Sequence, residues 1–326
     1  MILCGDIGGT KALLGIADPD GGALRIVFER RYACADHDGF DRLWTAFRHD
    51  ADEFVGRLSA GCLAVAGPVA DDGGSASLTN LPWRVDAVAA GQTFGLPSLR
   101  LVNDFAAAAL GTTMADPEEV LVMQTGSPRA EAPRLVVGAG TGLGMATLLP
   151  DGSAWRVLPG EGGHVGFAPA DALQGELWAW LRARFGRVTA ERVISGSGLV
   201  LIYEFLAGRG SADVPDPLGG DANPAAAIGA LALERPDSLA RRAVALFFSC
   251  YGGFAGDMAL SVMARGGVFL AGGIIGRLRD LAAESDFLRA FNAKAEHERL
   301  AAAMPVTAVM DPALGLKGAA LAVAGH

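Results

Sequence analysis

The chain has 326 residues, 51% of them hydrophobic, with 27 Lys and Arg against 36 Asp and Glu for a formal net charge of −9. Such a sequence can bury a large core and is too apolar to stay disordered, so one large domain or two medium ones are expected. The acidic balance offers no electrostatic footprint for nucleic acid or an anionic membrane, so any phosphate group has to be held by local devices such as backbone N–H groups.

In chain order, residues 2–6 predict a strand, Gly8-Gly9-Thr10 a tight turn, 11–17 a second strand, Asp18-Pro19-Asp20-Gly21-Gly22 another turn, and a third antiparallel strand starts at Leu24. Asp6 comes too early for a basic region followed by an apolar one, which predicts no secretory leader. Phe40, Leu43, Trp44, Phe47 and Phe54 give 39–55 a helical rhythm, and 62–66 then reads as a buried central strand. A strand at 99–102 ends in Asn103-Asp104, just before an apolar helix at 105–110. A second hairpin follows, entered by 135–137, turned by Gly138-Ala139-Gly140-Thr141-Gly142-Leu143-Gly144 and left by 145–149.

The second half reads as mostly helical, at 171–185, 198–206, 224–233 and 238–263. The last of these is the longest apolar tract, yet it contains Asp257, and a carboxylate at a bilayer centre costs roughly 2.5–3.5 kcal/mol, so a buried core helix is expected. A strand at 268–270 runs into Ala271-Gly272-Gly273, followed by a helix at 274–281, a strand at 306–309 and a closing helix at 315–323. The 45 glycines lie mostly between short apolar runs, which points to an α/β or α+β class rather than a helix bundle. Cys4, Cys34, Cys62 and Cys250 show no C-x-x-C spacing, which argues against structural zinc and a disulfide framework and for a reducing compartment.

Several segments carry chemistry. Asp6 stands at a strand end ahead of Gly8 and Gly9, which lack Cβ atoms, and the Thr10 hydroxyl. That pattern lets backbone N–H groups approach phosphate oxygens while Asp6 faces a metal or its waters; an ordinary glycine hairpin is the competing reading. The segment 138–144 can cradle phosphate similarly, but the dinucleotide pattern G-x-G-x-x-G fails because its last position falls on Leu143 or Met145. The P-loop pattern fails as well, since Ala12 follows Lys11 and Gly318 follows Lys317.

Asp104 at a strand-to-helix junction can accept a proton from a substrate hydroxyl while Asn103 fixes neighbouring hydroxyls; the plain alternative for the pair is a helix N-cap. Glu161 and His164, three residues apart in a glycine-rich loop, suit the vicinal hydroxyls of a polyol, and Glu191 can add a third polar arm. The alternatives are a solvent loop at Glu161 and a Thr189-capped helix start at Glu191. Lys11 is a candidate phosphate clamp, and Trp83 reads as core rather than as a sugar platform.

Taken together, the segments Gly5-Asp6-Ile7-Gly8-Gly9-Thr10, Leu78-Thr79-Asn80, Val102-Asn103-Asp104-Phe105, 138–144, 158–165, 190–193 and 267–274 resemble the bacterial glucokinase family, ATP-dependent members of the actin, Hsp70 and sugar-kinase superfamily. The resemblance covers nearly the whole chain. It implies a two-lobed, actin-like (ribonuclease H-like) α/β ATPase fold with an interlobe cleft, the small lobe being 1–109 plus 311–326 and the large lobe 110–310.

It further implies phosphate contacts from Gly8, Gly9, Thr10, Gly140, Thr141 and Gly142, and an adenosine-side loop at Gly272 and Gly273. Glucose would be bound by Asn103, Asp104, Glu161, His164 and Glu191, with Asp104 the base for the 6-hydroxyl and Asp6 reaching Mg²⁺ through water. The implied partners are ATP and glucose, in a cytoplasmic homodimer for which helix 238–263 offers a face. A kinase for another hexose such as mannose, polyphosphate as donor, and a non-catalytic sugar-binding regulator stand as alternatives. The wider sugar-kinase and repressor family includes zinc-binding members, whose cysteine cluster this sequence lacks, and Asp6 leaves no room ahead of it for a DNA-binding domain.

Overall fold

The structure is a computed structural model describing residues 1–19, 24–70, 72–79, 81–152, 154–208 and 223–324. The expected turn residues 20–22 and Asn80 lie outside the described residues. Contacts divide the chain into two units, one comprising Met1–Asp116, Asp151–Leu158 and Asp311–His326, the other Pro117–Pro150 and Pro159–Met310.

The first unit is built on strands β1 (Ile2–Ile7), β2 (Lys11–Asp18), β3 (Arg25–Ala33), β4 (Ala60–Val65), a small pair β5 (Ser75–Ser77) and β6 (Arg84–Asp86), and β7 (Leu99–Asn103). The main sheet has the order β3-β2-β1-β4-β7, antiparallel on the β2 and β3 side and parallel from β1 through β4 to β7. Alternation along β1 sends Leu3 and Ile7 into a core with Phe40, Leu43, Trp44 and Phe47. Ile2 and Cys4 face the opposite side, against the helices Asp104–Gly111 and Leu314–Ala324. Asp6 continues this second face at the strand's C-terminal end. Trp83 is core, as expected, at 7% exposure.

The second unit is built on β8 (Val120–Gln124), β9 (Arg134–Ala139), β10 (Leu143–Asp151), β12 (Gly267–Ala271) and β13 (Val306–Val309), their sheet being continued by β11 (Ala154–Gly160), whose residues up to Leu158 are counted with the first unit. Their order is β11-β10-β9-β12-β13-β8, with β9, β12 and β13 parallel. Helix Leu239–Val262 packs in this core rather than standing free. Its Tyr251 hydroxyl donates to the Val137 carbonyl at 3.0 Å, and its Asp257 pairs with Lys294 at 2.7 Å. Phe247, Phe248 and Tyr251 are fully buried with Phe287 and Phe291. The dimer face expected on this helix is therefore not offered by these residues, because they are spent within their own unit.

Three expected elements differ in detail. The helix expected over 39–55 breaks at buried Ala51 into Phe40–Asp50 and Asp52–Val55, with Asp50 turned toward Tyr32 at 2.7 Å and Arg30 at 3.2 Å. The helix expected over 274–281 becomes Gly273–Arg277 and Arg279–Glu284, because Leu278 leaves helical geometry and is buried. Pro159 and Gly160, expected in a loop, end β11, an edge strand, where proline is tolerated.

Candidate functional site

In the first unit, the turn between β1 and β2 is closed by the Gly8 N–H donating to the Lys11 carbonyl at 3.0 Å, and the Cys34 N–H donates to the Thr10 carbonyl at 3.0 Å. The Gly8 N–H expected to face phosphate is thus consumed by the turn. Among the described residues, the Gly9 and Thr10 N–H groups have no protein acceptor. Beside the turn lies a cavity of about 330 Å³ lined by Asp6, Gly8, Thr10, Lys11, Leu13, Arg31 and Pro312. Strand register explains the lining, since Asp6 lies opposite Leu13 and Leu13 opposite Arg31.

The Asp6 side chain accepts no hydrogen bond among the described residues, and Gly315 presses against it so closely that a Cβ there would overlap Oδ2. Burial, with a smaller contribution from the Asp104 charge, pushes its carboxyl up to about 6. A half-buried carboxylate without a hydrogen-bond partner among the described residues, bordering a polar cavity, has the chemistry of a site for a hard cation or its waters.

Asn103 and Asp104 end β7 and begin the helix Asp104–Gly111. Asn103 is the N-cap, with Oδ1 accepting from the Phe105 and Ala106 N–H groups at 3.0 and 3.1 Å. The cap reading is therefore correct for Asn103, and it occupies the carbonyl oxygen rather than the amide donors. Asp104 accepts from the Phe105 N–H through Oδ1 at 2.8 Å. Burial raises its carboxyl, while the Phe105 N–H, its own N–H and the Asn103 side chain act in the lowering direction. The helix start thus fixes Asp104 Oδ1 through the Phe105 N–H.

The second unit gathers the remaining residues. Strand β9 ends at the 140–142 turn and its parallel neighbour β12 ends at Gly272, with Ala271 in register with Gly138. Gly272 has φ +94, and a Cβ there would overlap the Ala139 carbonyl, so this approach requires glycine. Inside the turn the Gly140 N–H donates to the Gly142 carbonyl at 2.9 Å, which removes it from the phosphate donors expected here. Among the described residues, the Thr141 and Gly142 N–H groups have no protein acceptor. Glu191 lies in the short helix Ala190–Val193, capped by the Thr189 hydroxyl as the alternative reading expects, and its Oε2 accepts from the Leu143 N–H at 2.9 Å. Glu161 and His164 flank a single 3-10 turn with 3.7 Å between Oε2 and Nδ1, and both side chains are exposed.

The structure thus brings Asp6, Gly8, Gly9, Thr10, Asn103 and Asp104 together in one unit, and Glu161, His164 and Glu191 with Gly140, Thr141, Gly142, Gly272 and Gly273 in the other. Sequence reasoning missed Arg31, Gly315 and Leu143. A register drawn across the β2–β3 hairpin would have found Arg31; the other two carry no sequence signal.

A mixed sheet with a glycine hairpin, β1–β2 in one unit and β9–β10 in the other, occurs twice in the chain, as in the two-lobed actin-like sugar kinases. The Glucokinase family profile matches residues 3–326. The glucokinase of Nostoc punctiforme is 36% identical, with 99% of each chain covered. A glucokinase from an Antarctic psychrotroph has a TM-score of 0.86 at 30% identity, covering 100% of this chain and 99% of that one. A ROK-family glucokinase from Streptomyces griseus, solved in complex with glucose and AMPPNP, shares the fold with a TM-score of 0.65 at 21% identity, covering 98% and 97%. The chain belongs to the glucokinase family, enzymes that phosphorylate glucose with ATP, and has that family's two-lobed actin-like fold.

Proposed function

We propose that this chain transfers the γ-phosphoryl group of ATP to the 6-hydroxyl of glucose, with Asp104 as the general base. The observation that carries the assignment is the placement of Asp104: at the C-terminal end of a parallel strand, next to Asp6, with Oδ1 tied to the Phe105 N–H and its carboxyl raised by burial. In the reaction, Oδ2 takes the hydroxyl proton as the sugar oxygen bonds to the γ-phosphorus, and the bond from that phosphorus to the β,γ-bridging oxygen breaks to release ADP.

The amide of Asn103 and the side chains of Glu161, His164 and Glu191 hold the other sugar hydroxyls. The Gly9, Thr10, Thr141 and Gly142 N–H groups take the phosphates, and Gly272 with Gly273 lets the nucleoside approach. Most of the acceleration then comes from positioning and charge stabilisation, as is general for phosphoryl transfer. Mg²⁺ fits beside Asp6, whose unpartnered carboxylate would hold it through water, and when bound it supplies neutralisation of phosphate charge.

The reading places the enzyme in the cytoplasm, which keeps its four buried free cysteines reduced. A homodimer would draw on exposed positions of helix Leu239–Val262, such as Arg242, Ala245 and Ser261, rather than on its buried aromatics, and light scattering reads that state directly. The function is tested by a coupled assay of phosphate transfer from ATP to a hexose panel, with Asp104→Asn alongside the wild type. Glucose should be the best acceptor, and the variant should lose roughly 10²–10⁴-fold in kcat while still binding glucose. A variant that keeps most of its turnover removes Asp104 from the mechanism, and mannose preferred over glucose reassigns the acceptor.

A further inference from the structure

The residues expected to hold sugar and those expected to hold phosphate share one peptide. Leu143 follows the glycine turn directly, and its N–H is held by Glu191 Oε2 at 2.9 Å. Its carbonyl is covered by Gly163, where a Cβ would overlap it, so the Glu161–His164 turn rests on the same residue. The two sugar-side segments are also joined to each other, since the Ala190 N–H donates to the Val165 carbonyl at 2.9 Å. At Gly142 a Cβ would lie 2.6 Å from Glu191 Oε2, so the absence of a side chain there is what admits the carboxylate. The Gly140 carbonyl, in turn, accepts from the Gly196 N–H at 2.8 Å, which anchors the other end of the turn to the protein.

We propose that Gly142 and the Leu143 peptide are positioning elements for the hexose: the nucleotide turn holds Glu191 through Oε2 and leaves Oε1 to the sugar, so the two substrates read one hairpin. This rests on the proposed placement of Glu191 at the sugar and goes beyond it by assigning a sugar-binding role to a glycine that touches no sugar. An unpaired Leu143 N–H would cost free energy, so a displaced Glu191 and a displaced hairpin accompany one another. Coupling between binding sites is reciprocal, so glucose bound alone should raise nucleotide affinity by the factor by which nucleotide raises glucose affinity.

Gly142→Ala is a clean probe. No positive φ is required at that position, and the added methyl meets only the movable end of Glu191. Glucose affinity is measured by calorimetry without nucleotide for the wild type, Gly142→Ala, Glu191→Gln, Glu191→Ala and Gly142→Ala combined with Glu191→Ala. Gly142→Ala should weaken glucose binding about tenfold, Glu191→Gln less than Glu191→Ala because the amide oxygen still accepts from Leu143, and the double variant no more than Glu191→Ala alone.

If Glu191 does not touch hexose, both of its single variants keep wild-type glucose affinity and the functional reading of that residue fails. If Glu191→Ala weakens glucose but Gly142→Ala does not, or the two losses add, Glu191 binds sugar independently of the turn and the proposal is overturned. Should Gly142→Ala not fold, hydrogen exchange of wild-type protein decides. Glucose alone should slow exchange of the Leu143 amide, and unchanged exchange at saturating glucose overturns the coupling.

Discussion

At the scale of single residues, Asp6 sets an opposition between stability and function. Its folded carboxyl sits at about 6, above the ordinary aspartate value, because burial disfavours the charged form. The folded state therefore holds a proton that the unfolded chain releases between about pH 4 and pH 6. Stability from this group is full below about pH 4 and is lost as pH rises through about 6, on the order of 2–3 kcal/mol. Asp6→Asn should consequently melt higher than the wild type at pH 8 in the absence of ligands, with the advantage vanishing below about pH 4. Thermal unfolding across that range checks it, and equal melting temperatures at pH 8 would contradict the burial account. In the proposed mechanism both carboxylates have to ionise, so kcat/KM should fall on the acid side of about pH 6 with an apparent value belonging to the Asp6 and Asp104 pair. These two were legible in the sequence because strand end, glycine turn and helix start are local patterns. For Asn103 the cap reading holds and is compatible with the proposed one, since the cap takes only the carbonyl oxygen. Gly315 and Leu143 were not legible, because each acts only through a neighbour far away in sequence.

Among the elements, the pair of helices behind β1 and β7 fixes where Asp104 stands. Helix Leu314–Ala324 lies so close to helix Asp104–Gly111 that a Cβ on Gly318 would overlap the Ala107 carbonyl, and one on Gly111 the Leu314 carbonyl. Both neighbours are backbone, which cannot swing aside. Gly318→Ala should force the helices apart at a cost of about 1–3 kcal/mol or more, and because Asp104 is the first residue of the displaced helix, kcat should fall with it. Gly175→Ala is the matched control, in a helix where the new methyl meets nothing within 4 Å; helix propensity there predicts an unchanged or slightly higher melting temperature. If both variants melt alike, space between the two helices is not what Gly318 supplies. The apolar rhythm of 105–110 and 315–323 announced these helices, but nothing in either segment announced their contact. The same limit applies elsewhere: β5 and β6 are too short for alternation to register, and the break at Leu278 arises from the core it enters rather than from a local breaker. Hairpins and the long core helix were readable because their signals lie within one turn or one stripe.

For the molecule as a whole, the chain first leaves its first unit after Asp116 and returns to it for the last time at Asp311. Lys317 pairs with both, at 3.6 Å to Asp116 and 2.6 Å to Asp311. The Asp311 side chain is only 1% exposed, and its Oδ1 accepts from the Ala313 N–H at 2.7 Å just ahead of the closing helix. One cation thus fixes the starting point of the helix that presses on Asp6 and on the helix begun by Asp104, and ties it to the end of the preceding chain segment. The energetics are asymmetric: a buried pair contributes little against an apolar replacement of both partners, whereas removing one partner strands a charge. Lys317→Met alone should therefore cost about 3–5 kcal/mol, and Asp311→Asn added to it should recover a large part, because the amide still accepts from Ala313 and carries no charge to strand. Urea unfolding of the wild type, both single variants and the double variant reads the coupling. A double variant as unstable as the sum of the singles would show that Lys317 and Asp311 act separately, and that the closing helix is held by packing alone.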